Sequence, residues 1–176
     1  MTRRIFIALG SNIEPEKNLP EAIKRLAARV TLVRTSRVYR SAALDSAGQP
    51  DSTRPDFLNA AVLIETDLPP YNLKFTALRA VEAELGRVRT ADKIASRTID
   101  LDLALYGSLV LDDPDSGLVL PDPSILTQAH VVLPLADLDP EFVHPLTGET
   151  LSEIAARLHA ASAIQLTDLK LDSHLK

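Results

Sequence analysis

Asp100 and Asp102 stand two residues apart in the run Arg97-Thr98-Ile99-Asp100-Leu101-Asp102-Leu103-Ala104-Leu105-Tyr106. Side chains of a strand alternate between faces, so this pattern sends Ile99, Leu101, Leu103 and Leu105 into a core and both carboxylates to the other face. Same-face neighbours on a strand lie roughly 6.5–7 Å apart, near enough for two carboxylates to share one hard cation or a pair of them. Mg²⁺ is satisfied by one or two carboxylates together with water and phosphate oxygens, so the pair points to phosphoryl chemistry. Arg97 supplies the matching positive charge at the start of the strand. Read alone, the same pattern also describes an exposed strand face whose charges discourage edge-to-edge association.

A second group lies just upstream. Arg87, Arg89, Lys93 and Arg97 place four cations within eleven residues. Guanidinium forks take phosphate oxygens two at a time and stabilise the charge of a moving phosphoryl group, so a polyphosphate fits between these cations and the acidic pair. A solvated basic loop is the plainer account of the cations by themselves. No Walker A or G-x-G-x-x-G segment occurs, which excludes those two phosphate-binding solutions. His130, His144, His159 and His174 include no i, i+4 metal pair, and no Ser/His/Asp set follows from spacing.

These groups must be held by a chain of 176 residues, a length that suits one domain. Hydrophobic residues make up 45% and charged residues 24%, which argues against disorder over most of the chain. A net charge of −5 and the lack of a long basic block disfavour a nucleic-acid partner. With no cysteine there is no disulfide or thiolate metal site, and the expected location is the cytoplasm. The apolar run Ile5 to Leu9 is too short for a signal peptide, and no segment approaches the ~20 apolar residues of a membrane span.

The hydrophobic period switches along the chain. Residues 4–9 read as a buried strand ending at Gly10-Ser11-Asn12. Leu19, Ala22, Ile23, Leu26 and Val30 draw one apolar stripe, predicting a helix from about Pro15 to Arg29. Residues 31–40 and 57–65 are β-rich, and the long loop 41–56 between them is a candidate substrate flap. Pro69-Pro70 opens a second helix through about Leu85, with Leu78, Val81 and Leu85 on one face and Gly86 ending it. A polar loop at 87–97 leads into the Asp-x-Asp strand. Beyond Leu109 come a short apolar run, a Pro-rich loop at 114–123, a helix near 151–161 and a polar tail expected to fray. The order β-α-β-β-α-β predicts an α+β, ferredoxin-like antiparallel sheet with its helices on one face and a C-terminal extension. Asp100 and Asp102 then belong on the face left free of helices.

The chain resembles the 6-hydroxymethyl-7,8-dihydropterin pyrophosphokinase family. The resemblance covers most of residues 4–148 and follows the family's order. Its pieces are A-L-G-S-N at 8–12, S-R-V-Y-R-S at 36–41, P-D-F-L-N-A-A-V at 55–62, G-R-V-R at 86–89, R-T-I-D-L-D at 97–102, L-P-D-P at 120–123 and L-P-L-A-D-L at 133–138. It implies one domain over 1–176, with a core at 4–148 and a C-terminal helix and tail at 149–176. It implies a ferredoxin-like fold and transfer of diphosphate from ATP to the pterin's hydroxymethyl oxygen. Asp100 and Asp102 would then bind two Mg²⁺ ions, and Arg97 and Arg87 would hold phosphates and stabilise the transferring group. Phe57 would stack on the pterin, Asn59 would hydrogen-bond it, and backbone groups around Ala43 and Leu44 would read its edge. Glu82, Arg89 and Asp122 would lie on the ATP side.

The chain departs from the family pattern at four places. Asp122 stands where L-P-H-P has histidine, Gln128 replaces a phosphate-binding arginine, and His130 replaces the second aromatic wall of the pterin slot. Ile94-Ala95-Ser96 replaces a Trp-Gly-Pro loop tip. These substitutions keep two other readings open: an enzyme with a changed acceptor or nucleotide, and a ferredoxin-like binding module without turnover.

Overall fold

The computed structural model describes residues 3–171. The elements run β1 (Ile5–Ser11), α1 (Pro15–Ala27), β2 (Thr31–Thr35), β3 (Tyr39–Ser41), β4 (Phe57–Glu65) and a continuous helix whose parts are α2 (Pro70–Asn72), a π-helical segment (Leu73–Leu78) and α3 (Arg79–Glu84). Then follow β5 (Asp100–Tyr106), the hairpin β6 (Leu111–Asp113) and β7 (Leu118–Leu120), a 3₁₀ turn (Pro123–Leu126), α4 (Ala129–Leu138), α5 (Leu151–His159) and β8 (Gln165–Leu166). The main sheet is antiparallel in the order β5-β1-β4-β3-β8, with β2 also on β4.

The β-rich stretch 31–40 forms two short strands that share one edge of β4. β2 pairs with its C-terminal half, from Thr31 opposite Glu65 to Thr35 opposite Val62, and β3 with its start, from Tyr39 opposite Asn59 to Ser41 opposite Phe57. Ser36 bridges the break: its N–H donates to the Ala61 carbonyl at 2.9 Å, and its hydroxyl accepts from the Ala61 N–H at 2.8 Å.

Alternation on β1 and β4 divides the core in two. Ile5, Ile7, Leu9, Val62 and Ile64 face the stripe of α1 (Leu19, Ile23, Leu26) and the helix at 70–84 (Leu73, Leu78, Val81). Phe6, Ala61 and Leu63 face the other way, onto Val132, Leu135 and Leu138 of α4 and Leu151 and Ile154 of α5. The expectation of helices on one face is therefore corrected: α4 and α5 cover much of the second face. Sequence periodicity missed α4 because Ala129–Leu138 is apolar all round and carries Pro134 in its interior, which reads as a breaker although only one helical N–H is lost. α5 begins at a capping box in which Thr150 and Glu153 satisfy each other's backbone N–H groups.

The Asp-x-Asp strand also slips once. Phe6 pairs with Leu105 but Ile7 with Leu103, leaving Ala104 as an extra residue. A bulge reverses the alternation after it. Leu105 consequently joins Phe6 in the second core, and Tyr106 takes the first. The Ala104 carbonyl accepts from the Asp122 N–H at 2.9 Å, which ties the loop after β7 to the strand. The tail expected to fray runs in its last part, 172–176, outside the described residues.

Candidate active site

Asp100 and Asp102 open β5 on the second face, just where α4 and α5 stop covering it. Their leucine neighbours Leu101 and Leu103 are buried on the first face, so packing of the hydrophobic positions aims the carboxylates. The Arg97 Nη1 donates to Asp100 Oδ2 at 2.6 Å, and Arg87 Nη2 lies 3.9 Å from Asp100 Oδ1. Burial, together with the charges of Asp100 and Asp122, pushes the Asp102 carboxyl up to about 7, with Lys74 pulling the other way.

Two cavities meet at this pair. One, of about 310 Å³, is lined by Arg87, Arg89, Lys93 and Arg97 together with both aspartates. The other, of about 600 Å³, is lined by Phe57, Asn59, His130 and Gly10, and again by Arg97, Asp100 and Asp102. Among the described residues, no group of three or more His, Cys, Asp or Glu side chains could hold a metal ion. The donor set therefore suits an ion that completes its shell with water and phosphate, which is Mg²⁺ behaviour. The Nε of Arg87 is buried without a hydrogen-bond partner among the described residues. A buried cationic N–H with no acceptor fits an incoming anion.

The larger cavity has a polar floor. Asn59 is 4% exposed, and its amide nitrogen donates to Ser41 Oγ at 2.9 Å and to the Tyr39 carbonyl at 3.3 Å. With both donors occupied, Oδ1 faces outward as an acceptor beside Gly10, where an added Cβ would sit 3.6 Å from it. Phe57 lies under the Arg97 guanidinium, 5.5 Å from ring centroid to Cζ. Desolvation holds the His130 imidazole below its ordinary value, so the ring is neutral at physiological pH.

Of the other residues tied to the ligands by resemblance, Glu82, Asp122 and Ala43 line neither cavity. Glu82 is 2% exposed, accepts from the Leu101 N–H at 2.8 Å and pairs with Arg89, satisfying a donor on the edge strand β5. Burial pushes its carboxyl up against the pull of that N–H and of Arg89. Asp122 lines neither cavity and caps the 3₁₀ turn, accepting from the Ser124 N–H at 2.9 Å and its hydroxyl at 2.7 Å. Ala43 is buried and its carbonyl accepts from the Asp51 N–H at 2.8 Å, while the Leu44 carbonyl accepts from Arg54. Those two oxygens are engaged inside loop 41–56, and of the two residues only Leu44 lines the cavity.

Two positioning residues escaped sequence reasoning. Asn12 accepts the Arg97 N–H at 2.8 Å and donates to Pro55 O at 3.2 Å and Ser96 Oγ at 3.1 Å, so one side chain joins the β1 turn to both flanking loops. Arg54 donates to Asp51, Leu44 and Ile94, binding loop 41–56 to loop 87–97. The Gly10-Ser11-Asn12 turn was the available signal for the first, whereas Arg54 had none.

The chain matches the family model described as 7,8-dihydro-6-hydroxymethylpterin-pyrophosphokinase over residues 6–140. It is 38% identical over 160 residues to the 2-amino-4-hydroxy-6-hydroxymethyldihydropteridine pyrophosphokinase of Pseudomonas aeruginosa, covering 89% of this chain and 92% of that one. The Synechocystis protein of the same name is 37% identical over 151 residues, covering 84% and 72%. A folic acid synthesis protein of Pneumocystis carinii is 34% identical over 150 residues, and the chain spans only 19% of its length. In fold it is similar to the wild-type Plasmodium falciparum HPPK-DHPS crystal structure, with TM-score 0.64 at 12% identity over 89% of this chain and 45% of that one.

Proposed function

Because the chain belongs to the 7,8-dihydro-6-hydroxymethylpterin-pyrophosphokinase family, we propose that the junction at Asp100 and Asp102 is where it carries out that family's reaction. The reaction moves a diphosphoryl group from ATP to the hydroxymethyl group of 6-hydroxymethyl-7,8-dihydropterin in folate synthesis. The observation that carries the assignment is the meeting of the two cavities at one carboxylate pair. A cationic cavity suits a polyphosphate, and a cavity with aromatic rings and a fixed amide acceptor suits a flat heterocycle. Our reading takes the sheet as a ferredoxin-like arrangement elaborated by β3 and β8, and the compartment as the cytoplasm.

In this reading Arg87 and Arg97 hold phosphate oxygens, with Arg89 and Lys93 adding positive potential. Phe57 and His130 contact the faces of the pterin, and the Asn59 Oδ1 accepts a hydrogen bond from its edge. The substrate hydroxyl is thereby set in line with the β-phosphorus. The new oxygen–phosphorus bond forms as the bond from the β-phosphorus to the AMP oxygen breaks, AMP leaves with that electron pair, and the hydroxyl proton passes to solvent water. Asp100 and Asp102 would hold two Mg²⁺ ions, which when bound neutralise phosphate charge and orient the triphosphate. The protein forms no covalent intermediate; its contribution is positioning and charge neutralisation.

The test is to incubate the protein with ATP, Mg²⁺ and 6-hydroxymethyl-7,8-dihydropterin and to follow nucleotides and pterins by chromatography. One AMP should appear per pterin diphosphate. AMP or ADP formed at the same rate without pterin would favour a changed acceptor, and binding of both ligands without product would favour a module without turnover.

A further inference from the structure

The chain beyond the stretch matched to the family, which ends at residue 140, returns to the site. After α5 it crosses the mouth of the larger cavity and then pairs with β3, Gln165 opposite Arg40 and Leu166 opposite Tyr39. The Thr167 N–H donates to the Val38 carbonyl at 2.9 Å, and Leu169 and Leu171 pack against the first core. This strap is anchored at both ends, by α5 in the second core and by these leucines in the first. Between the anchors Ala161, Ser162, Ala163 and Ile164 line the 600 Å³ cavity, beside Leu158 near the end of α5.

None of these four strap residues is ionisable, and none of them lines the smaller cavity, although Lys93 and Arg97 line both. The strap therefore borders the larger cavity alone. It also rests on β3, whose Ser41 and Tyr39 hold the Asn59 amide. A wall hung on that strand shares its position with the group that reads the pterin edge.

We propose that residues 161–164 form the outer wall of the acceptor cavity and that Ile164, half-buried on it, is a specificity-determining residue for the pterin. This rests on the diphosphotransferase reading above.

The chain has no tryptophan, so Ile164→Trp introduces a sole indole. The variant is titrated with 6-hydroxymethyl-7,8-dihydropterin in the presence of a non-hydrolysable ATP analogue, by tryptophan emission and by calorimetry in parallel. Emission should change saturably, with the calorimetric Kd, and the ATP analogue alone should leave it unchanged. Ile164→Asp should raise KM for the pterin about tenfold, with kcat and the KM for ATP within about twofold, since the cost falls on acceptor binding alone. A strap that only supports the fold would lower Tm without that split. Pterin binding seen by calorimetry without an emission change, or an unaltered pterin KM in Ile164→Asp, overturns the proposal. Failure of the wild-type protein to bind pterin overturns the underlying reading and the proposal with it.

Discussion

The Arg97 guanidinium lies between two groups of different chemistry: it donates to Asp100 at 2.6 Å and sits 5.5 Å from the Phe57 ring centroid. Like Lys93, Arg97 thus borders both cavities. Its orientation is fixed from behind, because its N–H donates to Asn12 and its Nη2 to the Lys93 carbonyl at 2.8 Å.

Arg97→Ala should lower kcat/KM by about 10²–10³, the scale of losing one preorganised charge-stabilising donor, while the fold is retained. Arg97→Lys should recover only part of this, because an ammonium cannot serve Asp100 and a phosphate with a planar fork. Steady-state kinetics with both substrates varied checks it, and a wild-type rate in Arg97→Ala removes the residue from the mechanism.

Asp102 should make stability fall as pH rises. Its folded value of about 7 lies above the ordinary 3.8, so between roughly pH 4 and 7 the folded state keeps a proton that the unfolded chain releases. Asp102→Asn should therefore be more stable than wild type at pH 8, by about 1–2 kcal/mol, with the gain gone by pH 4. The same variant should lose turnover. Mg²⁺ should raise the wild-type Tm more at pH 8 than at pH 5, because binding needs the deprotonated carboxylate. Thermal unfolding across pH gives the answer, and a pH-independent difference would show that burial of Asp102 is not what sets its titration.

Ser41→Ala removes one of the two acceptors that orient the Asn59 amide. Its effect should be a pterin KM raised roughly 3–10-fold with kcat nearly intact, the cost of about one neutral hydrogen bond's worth of positioning. Gly10→Ala should act in the same direction with Tm unchanged. Its new Cβ meets Asn59 Oδ1 at 3.6 Å and Phe57 Cδ1 at 3.9 Å, ordinary contacts that cost the fold little but occupy space beside the acceptor oxygen.

His130 should govern the acid side. Its folded value is depressed by burial, so as pH falls below its ordinary 6.5 the unfolded state takes up a proton that the folded state resists, and stability is lost. His130→Phe should remove that contribution and bind the pterin more tightly through a larger ring face. Pterin affinity measured from pH 5 to 8 tests both: unchanged affinity together with an unchanged acid limb would mean that His130 does not contact the pterin.

What the sequence determined by itself is the local part. The stripe of α1, the bounds of β4 and the pairing of Asp100 with Asp102 on one face follow from short-range periodicity, and Gly86, with φ of 73°, ends the second helix where a left-handed residue is needed. Tertiary structure decided the rest, because those outcomes depend on partners distant in the chain. The bulge at Ala104 is invisible in an alternating pattern, since it is set by register against Phe6 and Ile7. Pro134 hides α4 from any periodicity count, yet burial of Val132, Leu135 and Leu138 against the sheet outweighs the lost N–H. Glu82, which the resemblance puts on the ATP side, caps the Leu101 N–H, a partner that only the edge of β5 supplies. Residues 161–164 border the larger cavity because the two-residue strand β8 finds an open edge on β3, a pairing that local pattern cannot specify.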